Sequence, residues 1–410
     1  MLPKGWKKLS LAMVAEVRTG VAKGKQNLKN PVELPYLRVA NVQDGYIDIS
    51  NIKTIQIEQD QIERYSLKAG DVLMTEGGDF DKLGRGDVWN GEISPCLHQN
   101  HVFAVRTDHS ILTPHFLAAL SASRYGKAYF LSCAKKSTNL ASINSTQLKE
   151  FPVLLPPTDE QQKITRILSV WDQAISTTEK LLTNSQQQKK ALIQQLLTGK
   201  QRLPNFQSTS WTEYKFKDIF DRITTRNVNG DTNVLTISGR YGLISQKEAF
   251  NRVIASDDLS NYILLKKGDF AFNKSYSIGY PFGAIKPLER YSQGIVSALY
   301  LCFGLKKPSN HNHDFFRHFF EGGYYDHEIY AIAQEGARNH GLLNVSVTDF
   351  FNGHLRIPGL EEQIKIANVI NKAEQEVLNF EAQLKLLTAQ KKFLMQQLLT
   401  GKRRVKVDES

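Results

Sequence analysis

From Thr158 to Leu197 the chain has neither proline nor glycine, and apolar residues return at alternating steps of three and four. One row reads Leu168, Ile175, Leu182, Lys189, Leu196, and the row three residues on reads Trp171, Thr178, Ser185, Leu192. Rows this narrow at heptad spacing predict the seam of a two-helix coiled coil. Thr158-Asp-Glu-Gln161 has the capping-box pattern, and Gly199 suits the residue after a last helical turn. The pattern returns as Ile370, Val377, Leu384, Lys391, Leu398 with Ala373, Phe380, Leu387, Leu394, closed by Gly401. At 1.5 Å per residue, a helix of about 40 residues is roughly 60 Å long, more than the width of a domain this size. Such helices are spacers.

The return is a tandem repeat. Gln194-Gln-Leu-Leu-Thr-Gly-Lys200 recurs unchanged as Gln396-Gln-Leu-Leu-Thr-Gly-Lys402, an offset of 396 − 194 = 202 residues. At that offset Pro156 meets Pro358, Glu160-Gln161 meets Glu362-Gln363, and Lys163-Ile164 meets Lys365-Ile366. The stretches before the helices correspond loosely. Trp6 and Trp211 open them, and Leu67-Lys-Ala-Gly-Asp71 resembles Leu265-Lys-Lys-Gly-Asp269. The chain therefore divides into a head at 1–155, a helix at 156–202, a second head at 203–357, a second helix at 358–402 and a tail at 403–410 expected to lack fixed structure. If each head's ends lie close together, the second helix starts beside the end of the first and runs back antiparallel to it, giving a pseudo-two-fold molecule. Trp171 then lies beside Lys391, Leu394 and Leu398, with Lys189 near Ala373 to Phe380, and one register sets Lys391 over the Trp171 ring.

Short β-type runs mark both heads: Tyr36–Val39, Ile47–Ile49, Val72–Met74 and Val102–Val105, then Val234–Ile237, Phe270–Phe272 and Ala298–Phe303. Turn clusters separate them, and a helical stretch follows in each, 113–134 and 313–334. The fold class is α+β: two similar α/β domains separated by two long helices.

The charge changes the picture. Lys and Arg total 52 against 41 Asp and Glu, a net charge of +11, which favours a polyanion partner. Polar loops sit at matching places in both heads and carry the residue types of DNA readout: Arg and Lys for guanine, Asn and Gln for adenine, acids for cytosine, hydroxyls and lysines for phosphate. The first head offers Arg38, Asn41, Glu76, Arg85, His98, Gln99, Asn100, Lys135, Lys136, Thr138 and Asn139 as DNA-binding candidates. The second offers Ser238, Arg240, Tyr241, Asn273, Lys274, Tyr276, Arg338, Asn339 and His340. One slot filled differently in two duplicated heads predicts two different half-sites.

Catalytic signatures are missing. There is no P-loop, no glycine-rich cofactor loop and no Asn/Asp-Pro-Pro-aromatic tetrapeptide. Glu213-Tyr-Lys215 lacks the upstream Pro-Asp of a nuclease and reads as surface; His311, His313, Asp314 and His318 read as a helix entry rather than a metal site. Glu160 and Glu362 sit where helix capping and dipole effects account for them. The three cysteines are far apart, so no zinc site or disulfide framework is expected. No apolar run approaches the roughly 18 residues that cross a bilayer, and Met1–Val17 has no signal-peptide core. A soluble, cytoplasmic protein is expected.

The chain resembles the specificity subunit of type I restriction–modification enzymes over essentially its whole length. The residues that carry the resemblance are Trp6 and Trp211, Tyr36-Leu-Arg-Val39 with Asn41, Gly70-Asp71 and Gly268-Asp269. The most specific is Leu155-Pro-Pro-Thr-Asp-Glu-Gln161, recurring as Ile357-Pro-Gly-Leu-Glu-Glu-Gln363. The resemblance implies two target-recognition domains reading the halves of a split, asymmetric DNA site, and helices that bind two methylation subunits. It implies no cofactor in this chain. S-adenosylmethionine for adenine methylation would sit in the methylation subunits, and ATP and Mg in restriction subunits that translocate and cleave DNA. Gly359 and Leu360 depart from Pro157 and Thr158, which would make the two partner contacts unequal. Two alternatives stand beside it: the specificity chain of a fused nuclease–methyltransferase, and a coiled-coil scaffold that binds protein rather than DNA.

Overall fold

A computed structural model describes residues 2–24, 28–80, 82–136, 141–239, 241–250, 258–276, 279–335 and 343–406, with only the backbone of 136, 334 and 335. The chain divides into two units, 1–179 with 382–410 and 180–381. Each has its own core and is taken in turn.

In unit 1, β1 (Ala15–Thr19), β2 (Val72–Thr75), β3 (Gly86–Val88) and β4 (Val102–Thr107) form an antiparallel sheet in the order β1-β4-β2-β3. β2 is buried along its whole length, which is why its Val-Leu-Met-Thr reads as a short apolar run. The turn before it needs Gly70 at φ +94, and Asp71 then accepts the Lys68 N–H at 2.8 Å. One face of the sheet is covered by α1 (Pro114–Ala122), with proline at its first position. The expected helix at 113–134 breaks at Ser123, whose hydroxyl caps a second helix, Arg124–Cys133. The expected strand Tyr36–Val39 ends at Leu37, and Ile47–Ile49 forms no strand. Lys7–Ser10 pairs with Pro152–Leu155 and leads into α2 (Thr158–Leu196).

Unit 2 repeats this plan. β5 (Phe220–Ile223), β6 (Phe270–Asn273), β7 (Ala284–Pro287) and β8 (Leu301–Leu305) run in the order β5-β8-β6-β7. Gly268 has φ +95 and Asp269 accepts the Lys266 N–H at 2.7 Å, the counterpart of the Gly70-Asp71 turn. α3 (His313–Glu321) covers the sheet. Thr212–Lys215 pairs with His354–Ile357 and leads into α4 (Leu360–Leu398). Glu213 and Lys215 are exposed, as a surface reading requires.

The long helices are antiparallel neighbours within each unit. In unit 1 the start of α2 (Ile164, Leu168) shares a core with the end of α4 (Leu394, Leu398). In unit 2 the end of α2 (Leu192, Leu196) shares a core with the start of α4 (Ile366, Ile370). Every position of the two heptad rows is buried or half-buried. The seam lysines meet carboxylates: Lys189 Nζ donates to Glu374 Oε1 at 2.6 Å, and Lys391 to Asp172. Lys391 thus takes the acid beside Trp171 rather than the Trp171 ring.

Two readings of the helix starts are corrected. No capping box forms at Thr158. Gln161 is fully buried and accepts the Thr113 N–H at 2.9 Å, just before α1, while Gln363 does the same for Asn312 N–H, just before α3. Glu160 and Glu362 are not dipole residues on a solvated turn but nearly inaccessible partners in bidentate ion pairs. Glu362 accepts Arg202 Nε and Nη2 at 2.7 Å each. Glu160 accepts Trp6 Nε1 at 3.1 Å and Arg404 Nη2 at 2.7 Å. Arg404 lies in the tail expected to lack structure, and this contact fixes residues 403–406 against unit 1.

Candidate nucleic-acid interface

In unit 1 the predicted loops converge beyond the ends of β2 and β4. Glu76 follows β2 directly. Its N–H donates to His101 O at 3.0 Å, and its carbonyl accepts Ile143 N–H at 2.9 Å. Gly77–Gly78, Ala141–Ser142 and Lys135–Lys136 then form a three-stranded ladder that sets Lys135, which is exposed, near Glu76. The Glu76 carboxylate is clamped by His101 Nδ1 at 2.5 Å, and the His101 ring contacts Asn100. Gln99 adjoins through Val39 N–H at 3.4 Å, next to Arg38, whose guanidinium reaches Asn51 O. Arg85, half-buried, lies across from Thr75, its carbonyl accepting the Thr75 N–H at 3.0 Å. Glu76, Asn100, Arg38, Gln99 and Lys135 are therefore one rim.

Two predicted residues are excluded from it. His98 is 2% exposed and its Nδ1 lies 2.7 Å from Val102 O; burial pushes its ring down to about 4, so it is a neutral core group. Asn41 is 3% exposed: it accepts the Arg38 N–H and donates to Asp48 O at 2.8 Å. Its amide holds the loop rather than meeting a ligand. Thr138 and Asn139 lie outside the described residues, as does the Lys136 side chain. His101 belongs to the polar loop His98-Gln-Asn-His101 that the sequence points to, but was not among the individual candidates.

Unit 2 has the corresponding rim. Asn273 ends β6 as Thr75 ends β2, and Lys274 O accepts the Leu343 N–H at 2.9 Å as Glu76 O accepts Ile143 N–H. Asn273 Oδ1 caps Ser275 N–H, and Tyr276 beyond it is 61% exposed. Ser238 Oγ accepts the Tyr241 N–H at 3.3 Å, and the Tyr241 ring is exposed. The loop carrying them is fixed through Gly239 O, which accepts Tyr280 Oη and Lys286 Nζ at 3.1 Å each. Tyr280 and the buried Lys286 were not foreseen, since nothing in Ala-Ile-Lys-Pro marks an inward-facing lysine. Arg240, Arg338, Asn339 and His340 lie outside the described residues. Glu289, His313 and Asp314 come within 4.8 Å of one another, but the Arg317 guanidinium, 3.5 Å from Glu289, already places a cation there. The unit 1 rim presents half-buried amide and charged groups with the exposed Lys135, and the unit 2 rim adds the exposed rings of Tyr241 and Tyr276.

Residues 3–184 match the family described as type I restriction modification DNA specificity domain. Residues 3–184 are thus similar to a type I restriction–modification DNA specificity domain. Similar proteins include the MjaX type I restriction enzyme specificity subunit of Methanocaldococcus jannaschii, 30% identical over 48% of this chain and 46% of that protein. The EcoKI specificity subunit of Escherichia coli is 26% identical over 47% of this chain and 41% of its own length. The match thus spans under half the length of these relatives. The HsdS subunit from Thermoanaerobacter tengcongensis shares the fold with a TM-score of 0.54 at 14% identity, covering 98% of each chain. Likeness to that specificity subunit therefore extends at the level of fold through the second half. Among the described residues no helix is long and apolar enough to cross a membrane.

Proposed function

We propose that the chain is the DNA-reading, non-catalytic specificity subunit of a type I restriction–modification complex. Each unit reads one half of a split, asymmetric site in double-stranded DNA. The paired helices dock two methylation subunits, and restriction subunits join them, with S-adenosylmethionine, ATP and Mg held by those partners. A cytoplasmic location goes with this role. The observation that carries the reading is the equivalence of Glu76 and Lys274: the same slot at the end of the same strand holds an acid in one unit and a base in the other. Equal scaffolds with unlike contact residues are what two unlike half-sites require.

The test is a map of methylated adenines in a host with and without this chain. Two short, unlike half-sites separated by unread bases are expected. A single continuous or palindromic motif overturns the reading. DNA binding that is absent, or indifferent to salt, points to the protein-binding scaffold instead.

A further inference from the structure

The two units differ in one place where their frameworks are the same. α1 and α3 have equal length, and the residue before each, Thr113 or Asn312, donates its N–H to the equivalent Gln161 or Gln363. Position 118 therefore corresponds to 317, since 312 − 113 = 317 − 118 = 199, and likewise 119 to 318 and 122 to 321. Sheet register gives a fourth pair: Asp87 lies opposite Leu73 where Lys286 lies opposite Ala271.

In unit 2 these positions form a filled polar layer. Arg317 donates to Glu374 Oε2 and to Asn371 Oδ1, each at 2.8 Å. Lys286 pairs with Glu321. Glu374 thus serves Lys189 with one oxygen and Arg317 with the other. In unit 1 the corresponding side chains are Ala118, Ala119, Ala122 and Asp87. What remains is a cavity of about 690 Å³, lined by those residues together with Asp172 and Lys391. Asp172 keeps the lysine half of the arrangement, giving Oδ1 to Lys391, but among the described residues it has no guanidinium. Asp87 makes no ion pair among them either, and burial raises its carboxyl above the ordinary value. His115 and Arg166 also line it and are exposed, and the charges of His115 and Lys391 offset part of the rise at Asp87.

We infer that this cavity of unit 1 is a binding site for a guanidinium group, an arginine side chain entering from another molecule between Asp87 and Asp172. Unit 2 supplies the same group from its own Arg317. Two carboxylates on separate elements suit a planar fork of donors better than the point charge of an ammonium. Only the source of the arginine, a partner subunit, rests on the function proposed above; the chemistry of the cavity does not.

The full chain is titrated with N-acetyl-arginine amide, and with N-acetyl-lysine amide at matched ionic strength, followed by NMR. Saturable binding is expected for the arginine probe, at least threefold weaker for the lysine probe, and lost in Asp87→Asn. Ala118→Arg is expected to abolish binding and to raise the melting midpoint by roughly 2 °C, by restoring the contact within the chain. No saturable binding of the arginine probe, or binding unchanged in Asp87→Asn, overturns the inference even if Ala118→Arg does not fold. A purified methylation subunit separates the sources. If its arginine fills the cavity, Ala118→Arg weakens its binding at least tenfold; if its binding is unchanged while the probe still binds the native chain, the ligand is a free guanidinium compound. None of these readouts involves DNA, so failure of the DNA-reading proposal leaves them standing.

Discussion

Glu374→Gln removes one charge from unit 2 without changing its shape. The carboxylate accepts Lys189 Nζ at 2.6 Å and Arg317 Nη1 at 2.8 Å, and its side chain is 27% exposed. Burial alone would raise its pKa, but the hydrogen bonds and charges of Lys189 and Arg317 bring it down to about 2 from an ordinary 4.5. That shift is worth roughly 3 kcal/mol of stability at pH 7, at about 1.4 kcal/mol per unit. The folded-state pKa is depressed, so the contribution is fully present above about pH 4.5 and fades as pH falls towards 2, with less than half of it left near pH 3. Urea unfolding of the native chain and Glu374→Gln, followed between pH 7 and 3, gives the difference directly. Asp172→Asn is the control: Asp172 is 57% exposed and pairs with one lysine, so it should cost under about 1 kcal/mol. A Glu374→Gln effect below about 1 kcal/mol, or one that does not shrink on acidification, refutes the reasoning.

Arg202→Ala strands the Glu362 carboxylate, 2% exposed, and should cost unit 2 about 3–5 kcal/mol in urea unfolding; Arg202→Lys should rescue little, because an ammonium cannot make the bidentate contact. His98 is held neutral when folded but is protonated first in the unfolded chain, so stability should fall by about 3 kcal/mol from pH 6.5 to 4, and His98→Gln should remove most of that slope in acid unfolding curves. Glu76→Gln should change base preference at one half-site roughly tenfold in competition binding while leaving the other half-site and the melting midpoint unchanged. DNA affinity should fall steeply between about 50 and 200 mM salt in a gel-shift series.

The long helices were legible because a seam needs only a repeating class of residue: Leu168 and Leu196, Ile370 and Leu398 sit where the heptad places them. Their antiparallel pairing was legible from chain connection alone. What failed was local chemistry that depends on distant atoms. Thr158-Asp-Glu-Gln161 spells a capping box, yet Gln161 and Glu160 are drawn away by Thr113 and Arg404, which are 48 and 244 residues distant in sequence. The rim was legible as loops but not residue by residue. His98 and Gln99 are neighbours of similar polarity, yet His98 ends a fully buried strand while Gln99, the next residue, lies half-buried in the loop after it. Lys286 was invisible because its partners, Gly239 O, Tyr280 and Glu321, come from three separate segments.

Glu76 is held in its sheet by peptide atoms, its N–H going to His101 O and its carbonyl taking Ile143 N–H, while its carboxylate meets the His101 ring. Lys274 uses its carbonyl in the same way. The backbone pairing itself does not depend on which side chain stands at that Cα. Under the proposed function, a substitution there would alter the half-site that is read while the sheet's peptide pairing stays as it is.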